Sequence, residues 1–142
     1  MLIKLIDFKS LAYNEAVELR NKVLRRPLGL KFDQRKLDQE FKDYHIACID
    51  SAFIMGILLL TPKENGMVQM RQVAVHPSYQ GMGIGRKLVN YAEAFAYLRN
   101  FEHIMLHARK ESVLFYQKLG YMQKGEEFLE INIPHYYMEK TL

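Results

Sequence analysis

Apolar positions along the first part of the chain predict a strand followed by a helix. Residues 2–8 are rich in Leu and Ile, which is typical of a β-strand. Ser10 can cap a helix, and the apolar residues behind it recur at helical spacing until Pro27 and Gly29, where we expect the helix to stop. The recurring positions are Ala12, Ala16, Leu19 and Val23.

A loop, a charged segment and two strands are predicted next. Residues 28–33 have loop character, and the charged segment at residues 34–42 predicts a short surface helix. Residues 43–50 and 52–61 predict a pair of strands. The second of them is apolar on both faces, so we expect it in the middle of a sheet.

A tight turn then leads into a further strand. Asn65 and Gly66 form a strong turn signal, so residues 67–75 should pair antiparallel with residues 54–60. Val73 and Val75 should share one face of that strand. The strand should close at the following proline, which cannot donate to a central ladder.

Glycines at every second position follow this strand and open an amphipathic helix. They are Gly81, Gly83 and Gly85. Without a Cβ, such residues let main-chain N–H groups converge on a ligand, and the first turn of a helix adds unpaired donors and a positive dipole end. The order of strand, glycine loop and helix start therefore predicts a site for a phosphate or pyrophosphate group.

The last third of the chain predicts a strand, a short helix and terminal strands. Residues 103–107 read as a strand, and residues 111–121 as a helix ended by Gly120. Terminal strand segments are expected at residues 121–124, 127–133 and 136–140, with a break at Pro134. The whole pattern predicts an α/β protein, a mixed sheet with helices on its faces.

The glycine spacing excludes two common phosphate loops. In the dinucleotide fingerprint G-x-G-x-x-G, the third glycine would come one residue after Gly85, and the frame that starts at Gly83 has Leu88 where it needs glycine. The nucleotide-triphosphate loop fails because Arg86 stands where its second glycine should be.

The segment Gln80-x-x-Gly83-x-Gly85 behind a Val-Ala-Val strand instead resembles the acetyl-coenzyme A loop of the GNAT superfamily of N-acetyltransferases. Downstream, Phe115-Tyr116-x-Lys118-Leu119-Gly120-Tyr121 is similar to the Phe-Tyr-x-Lys-Leu-Gly-Phe segment of that family. The resemblance implies one domain over residues 1–142 with the GNAT-type acyl-CoA N-acyltransferase fold, a mixed, mostly antiparallel sheet with helices on both faces.

The carboxyl-terminal segment resembles one branch of the superfamily. Residues 128–138 are similar to the F-x-E-x-G-I-P-H-x-x-M signature of the YjcF/ElaA-like branch, except that Asn132 stands where the branch has glycine. Asparagine tolerates the left-handed backbone conformation better than most residues, so the substitution is compatible with the motif.

Composition and charge narrow the class of protein. The net charge of +4 is spread over separate short groups of Arg and Lys, so we do not expect nucleic-acid binding, although a positive field favours a polyanionic cofactor. Cys48 is the single cysteine, so no internal disulfide can form. The longest apolar run, residues 52–60, is far shorter than the ~20 residues that span a bilayer. We expect a cytoplasmic protein that binds neither membranes nor a metal.

The resemblance implies roles for individual residues. Those expected to bind acetyl-CoA through the strand and the loop are Val73, Ala74, Val75, Gln80, Gly81, Met82, Gly83, Ile84, Gly85 and Arg86. Tyr116 is the candidate general acid, because a phenol with a pKa near ~10 is close in acidity to the departing thiol. An aromatic residue in the core is the other interpretation of that position.

The acceptor side is less defined. A primary amine is protonated at neutral pH and needs a base, for which Glu130, His135, His107, His76 and Glu111 are candidates; we assign none of them. The candidate substrate-binding residues are Arg20, Arg71, Arg109 and His135.

These observations lead to three hypotheses. The first is an acetyl-CoA-dependent N-acetyltransferase that acts on a primary amine of a small molecule or a peptide. The second keeps the fold and uses another acyl-CoA. The third is a coenzyme A binding module that senses the cofactor without turnover. A homodimer is common in the family, and the sequence does not identify the acceptor.

Overall fold

Eight strands form one mixed sheet in this computed structural model, which describes residues 1–142. The strands are β1 (Leu2–Ile6), β2 (Tyr44–Asp50), β3 (Phe53–Pro62), β4 (Met67–Val75), β5 (His103–Arg109), β6 (Met122–Gln123), β7 (Phe128–Glu130) and β8 (Ile133–Thr141). The α-helices are α1 (Leu11–Arg20), α2 (Gln34–Asp38), α3 (Ile84–Leu98) and α4 (Val113–Lys118). Short π or 3-10 segments lie at Asn21–Arg25, Arg26–Leu28, Gln39–Lys42, Pro77–Tyr79 and Lys110–Ser112.

The strand order is β1-β2-β3-β4-β5-β8-β6, and β7 also pairs with β8. Every pairing is antiparallel except that of β4 with β5. The predicted position of β3 inside the sheet is confirmed, as is its antiparallel pairing with β4, in which Gly56 lies opposite Val75. The sheet therefore has the mixed, mostly antiparallel character expected from the sequence.

Helices cover both faces of the sheet. On one face, which we call the α1 face, apolar residues of α1 such as Ala16 and Leu19 pack against β-strand residues including Ile57 and Ala74. On the other face, the α3 face, residues of α3 and α4 complete a larger core. Gly56 allows α3 to lie close to the sheet, because a Cβ there would approach Leu88 Cδ1 to 2.8 Å.

Strands β4 and β5 diverge halfway along their length. They pair only from Met67 to Gln69 on β4, opposite His103 to Met105 on β5. Beyond this point β4 continues to Val75 without a partner on its β5 side, so its main-chain groups there face an opening in the sheet. A β-bulge places Gln72, with φ of 56°, just inside this segment.

The short surface helix expected at residues 34–42 is present as α2 followed by the 3-10 turn at Gln39–Lys42, and most of its residues are exposed. Glu40 is buried, because its carboxylate pairs with an arginine of α1. One expectation for the terminal strands was wrong. Pro134 does not break the last strand. It lies in β8 opposite Leu129, next to the hairpin turn, where β5 has already ended opposite His135 and no partner needs its missing N–H.

Asn132 adopts the left-handed conformation that asparagine tolerates better than most residues. Its φ is 61°, and Ile131 before it has a φ of 47°, so the two residues form the turn of the β7–β8 hairpin. The hairpin holds Glu130 and His135 at one edge of the sheet. None of the helices combines the length and the apolar character needed to cross a lipid bilayer.

Candidate active site

The glycine loop lies at the end of the unpaired part of β4. Gly81 and Gly83 have φ values of 79° and 81°, which glycine adopts far more readily than other residues, and a Cβ at either position would meet no atom within 4 Å. Gly83 is the N-cap of α3, and no side chain caps that end of the helix. The first N–H groups of α3 are thus free of side-chain partners and could hold an anionic group.

A hydrogen bond and a close approach of Gly85 relate the loop to its surroundings. Gln80 donates a hydrogen bond from Nε2 to the main-chain oxygen of Val75, over 3.1 Å. A Cβ on Gly85 would lie 3.4 Å from the ring of Phe115 and 3.8 Å from Val75 Cγ2. The loop, the end of β4 and helix α4 therefore meet at one place. Met82, Arg86 and Lys87 are exposed around it.

The strand residues before the loop divide between the two faces of the sheet. Val73 and Val75 both pack against the core on the α3 face, which confirms the prediction that they share a face. Ala74 belongs to the core on the α1 face. Ile84 is buried under α3 and anchors the first turn of that helix in the core.

Tyr116 lies on α4 within the core of the α3 face. Its ring meets Phe115 and Tyr121 edge to face, with centroids 5.0 and 5.7 Å away, and the residue is 7% exposed. Burial raises the pKa of Tyr116 well above its ordinary value of 10.0. In the free protein, the Tyr116 phenol therefore holds its proton more tightly than an ordinary phenol does. Its pKa is no longer close to that of a free thiol.

A carboxylate lies between two histidines at the edge formed by β5, β7 and β8. The Oε1 atom of Glu130 lies 2.9 Å from His107 Nδ1, and its Oε2 atom lies 3.5 Å from His135 Nε2. His135 is 3% exposed and its Nδ1 contacts the main-chain oxygen of Ile133. His107 and Glu130 are partly exposed. This cluster brings together three of the five candidate bases.

The other two candidate bases lie elsewhere. The Nδ1 atom of His76 accepts a hydrogen bond from the Ser78 main-chain N–H, so this side chain caps the 3-10 turn after β4. Glu111 belongs to the 3-10 segment before α4 and forms no ion pair.

Arg20 is held away from any open surface. Its guanidinium donates to Glu40 through two hydrogen bonds of 2.8 and 2.6 Å, and Arg20 is only 1% exposed. Burial alone would raise the pKa of Glu40, but the hydrogen bonds and charge of Arg20 and the Tyr13 hydroxyl hold this pKa below its ordinary value. The structure thus places Arg20 in a buried ion pair under α1, and its predicted role on the acceptor side stays a prediction.

Arg71 and Arg109 are better placed for a ligand. Arg71 donates to Thr61 over 3.2 Å and lies 3.6 Å from the Asp43 carboxylate. Arg109 donates from Nη2 to the main-chain oxygen of Leu24 over 3.0 Å and has no carboxylate partner. Both are partly exposed.

Two features of the site were not expected from the sequence. The chain from Asn21 to Arg25 is a π-helix, and β4 carries the bulge at Gln72 described above. Irregularities of both kinds are frequent at functional sites. The pattern of apolar positions could not reveal the φ of 56° at Gln72, because glutamine is not a residue type that marks positive φ.

Comparison with known proteins identifies the family. The sequence model of the acetyltransferase (GNAT) domain matches residues 25–142. The uncharacterized N-acetyltransferase YitI of Bacillus subtilis is 22% identical over 148 aligned positions, which cover 97% of this chain and 97% of that protein. Two other Bacillus subtilis relatives are 30% and 31% identical over 74 and 72 residues, and the chain spans about half of their length, 50% and 49%.

Solved structures share the fold over the full chain. The crystal structure of a Lactobacillus plantarum protein that is provisionally named an N-acetyltransferase matches this chain with a TM-score of 0.87 and 25% sequence identity. The match covers 100% of this chain and 99% of that one. An aminoglycoside 6′-N-acetyltransferase complexed with coenzyme A has a TM-score of 0.84 at 18% identity, covering 99% and 97%. The family match extends over most of the chain and the fold over all of it, and the chain therefore belongs to the GNAT acetyltransferase family.

Proposed function

We propose that the protein is an acetyl-CoA-dependent N-acetyltransferase that acts on a primary amine of a small molecule or a peptide. The observation that carries the proposal is the opening between β4 and β5, which leaves the end of β4 unpaired and leads directly to the glycine loop. An unpaired strand edge binds an extended amide-containing chain, and the adjoining helix start binds an anion.

The residues present fit coenzyme A. The main chain of Val73–Val75 would pair with the pantetheine arm, and the N–H groups from Gly81 to Arg86 would hold the diphosphate, with Gln80 keeping the loop on the strand. The open space above Gly81 and Gly83 is where side chains would obstruct a diphosphate. When bound, acetyl-CoA supplies an activated acetyl group as a thioester.

The reaction joins the amine nitrogen to the acetyl carbon and breaks the carbon–sulfur bond, so the amine loses one proton and the departing sulfur gains one. We assign the second proton to Tyr116. Burial raises the pKa of this phenol, but a thiol in the same poorly solvated site is also harder to ionise, so the difference between the two groups changes less than either value. Proton transfer between them can stay near balance.

The amine would approach from the α1 face. Ile104, Leu106 and Ala108 of β5 point into the core on the α3 face, so the alternating positions His107 and Arg109 project to the α1 face. We place the acceptor of the amine proton in the cluster of His107, Glu130 and His135, which lies on this side. A shift in the acidic limb of the kcat/KM pH profile in His107→Gln tests this assignment, and an unchanged limb opposes it.

The branch assignment also belongs to the proposal. Residues 128–138 form the β7–β8 hairpin, and Asn132 takes the left-handed conformation for which glycine is suited, so the departure from the YjcF/ElaA-like signature is accommodated. A cytoplasmic location and a homodimer stay predictions.

Thiol release from acyl-CoA with a panel of amines tests the function. An N-acetyltransferase releases coenzyme A from acetyl-CoA faster when an accepted amine is added. A sensing module would bind coenzyme A and release no thiol above background hydrolysis with any amine. An enzyme for another acyl group would show a higher kcat/KM with that donor than with acetyl-CoA.

A further inference from the structure

Unpaired buried polar atoms concentrate at the end of α1. Five side-chain nitrogen or oxygen atoms in the structure are buried without a hydrogen-bond partner, and three of them lie within six consecutive residues. These three are Arg20 Nε, Asn21 Oδ1 and Arg25 Nε. Buried polar groups are nearly always paired in folded proteins. A bound anion could accept from the Arg25 Nε–H, whereas the Asn21 oxygen is an acceptor and Arg20 is already paired with Glu40, so Arg25 is the residue that points to an anionic ligand.

The backbone at this place is also unusual. Asn21–Arg25 is a π-helix, in which the N–H of Arg26 donates to the oxygen of Asn21 five residues earlier. The π-helix packs against β4, and Arg109 of β5 donates to the oxygen of Leu24 within it. It therefore spans the opening between the two strands on the α1 face.

Positive charge at this place exceeds the carboxylates that could pair with it. Arg20 is neutralised by Glu40, Arg71 faces Asp43, and the Glu130 carboxylate contacts two histidines and no arginine. Arg25 and Arg109 have no carboxylate within ion-pair distance. The pKa of Arg25 is lowered by burial and then by the nearby charges of Arg109 and Arg20, with Glu130 acting in the opposite direction. Two guanidinium groups thus repel one another without a shared anion.

An aromatic ring restrains one of these groups. The guanidinium carbon of Arg25 lies 4.8 Å from the centre of the Phe32 ring, and that of Arg20 lies at the same distance. A stacked guanidinium loses less conformational freedom on binding and presents its N–H fork in one plane, which suits a carboxylate or a phosphate.

We propose that the acceptor amine also carries an anionic group, a carboxylate or a phosphate, which binds Arg25 and Arg109 at the end of the β4–β5 opening. This inference rests on the proposed acetyltransferase function and specifies its substrate class. The uncompensated arginines favour such acceptors over amines that carry no anion, and they disfavour polycationic acceptors.

Matched pairs of amines test the inference through thiol release. The first pair is γ-aminobutyrate and its amide, and the second is phosphoethanolamine and ethanolamine. We expect the anionic member of at least one pair to have the higher kcat/KM, by about tenfold or more, as charge-assisted hydrogen bonds provide. Comparing the two pairs distinguishes a carboxylate from a phosphate.

Variants of Arg25 test whether this residue causes the preference for anionic amines. Arg25→Gln should lower the ratio of anionic to neutral kcat/KM by about tenfold, and Arg25→Lys, which keeps the charge and loses the fork, should lower it less. Arg26→Gln is the control, because Arg26 is exposed and pairs with Glu18 on the surface. This control removes the same charge one residue along and should leave the ratio unchanged. Thermal unfolding checks that each variant is folded.

Results that contradict the anionic-acceptor inference differ from results that contradict the acetyltransferase function. Thiol release with neutral amines at least as fast as with anionic ones, or an equal drop of the ratio in Arg25→Gln and Arg26→Gln, would overturn the inference and leave the acetyltransferase intact. If none of the four amines releases thiol, calorimetry with γ-aminobutyrate and phosphoethanolamine at saturating coenzyme A decides. Heat that Arg25→Gln abolishes supports the inference, and no heat with either compound refutes it.

Discussion

Gln80 and Val75 are joined by a hydrogen bond from the side-chain Nε2 of the first to the main-chain oxygen of the second, over 3.1 Å. The bond connects the loop that holds the glycines to the last residue of β4. In the proposed complex these two elements hold different parts of one ligand, the diphosphate and the pantetheine arm. The hydrogen bond fixes their relative position, and it therefore contributes to affinity although the bond itself does not contact the ligand.

Gln80→Ala should weaken coenzyme A binding by about threefold to tenfold, the value of one hydrogen bond. Calorimetric titration measures the change in Kd. Gln123→Ala is the matched control, because Gln123 is exposed on β6, which β5 and β8 separate from β4 in the sheet. Equal affinities of the Gln80 variant and wild type would show that the loop keeps its position without this bond.

Glu40→Gln should lower the free energy of unfolding by about 3–5 kcal/mol, because it leaves the Arg20 guanidinium buried without its counter-charge. Urea denaturation measures this loss. Glu18→Gln removes the partner of Arg26 on the surface and should change stability by less than about 0.5 kcal/mol. A loss in Glu40→Gln as small as in this control would show that the pair is not stabilising.

The same pair predicts how the stability difference depends on pH. The pKa of Glu40 is lowered in the folded state from its ordinary value of 4.5, so its contribution is present above that pH and declines as pH falls through the folded-state pKa. The difference between wild type and Glu40→Gln should therefore shrink below about pH 4.5. Asp43, whose pKa burial raises, acts in the opposite sense, and most of this effect is common to both proteins because the Glu40 charge is the smallest of its causes.

Urea denaturation at pH 7 and at successive lower pH values checks this prediction. A difference that stays constant or widens on acidification would contradict the assigned direction of the Glu40 shift.

Tyr116→Phe should lower kcat by about a hundredfold and leave the affinity for coenzyme A nearly unchanged, because the ring stays and the proton is lost. Steady-state thiol release and calorimetry measure the two quantities. Tyr121→Phe is the control. Its ring is 5.7 Å from that of Tyr116, and its hydroxyl donates to Glu93 over 2.8 Å, so removing this hydroxyl should affect stability more than kcat. Equal kcat values in wild type and Tyr116→Phe would remove the general-acid role.

Local signals were sufficient for much of the fold. The Asn65-Gly66 turn and the central position of β3 follow from residue preferences over a few positions, and the structure confirms both. The glycine loop at the start of α3 was also predictable, because its glycines stand at fixed offsets from a strand and a helix.

Features that depend on distant partners were not predictable. Glu40 looked like a surface carboxylate because the arginine that neutralises it lies twenty residues earlier, on α1. The π-helix from Asn21 to Arg25 interrupts an apolar stripe that continues regularly through Val23. Pro134 fits within β8 because of where β5 ends, which no local pattern records.

The glycine loop is where the account is tested most directly. In Gly83→Asp, a carboxylate at the N-cap of α3 would occupy the anion site and repel a diphosphate, and aspartate tolerates left-handed φ better than most residues. Gly125→Asp is the matched control, because Gly125 has nearly the same φ, 80° against 81°, and equally open space around its Cβ position. The backbone cost of the two substitutions should therefore be similar.

Calorimetric titration of coenzyme A into wild type, Gly83→Asp and Gly125→Asp is the deciding measurement. We predict binding to wild type and Gly125→Asp with similar Kd, and loss of binding in Gly83→Asp although it unfolds cooperatively. No heat from folded wild-type protein, or the same Kd in all three proteins, would contradict the account.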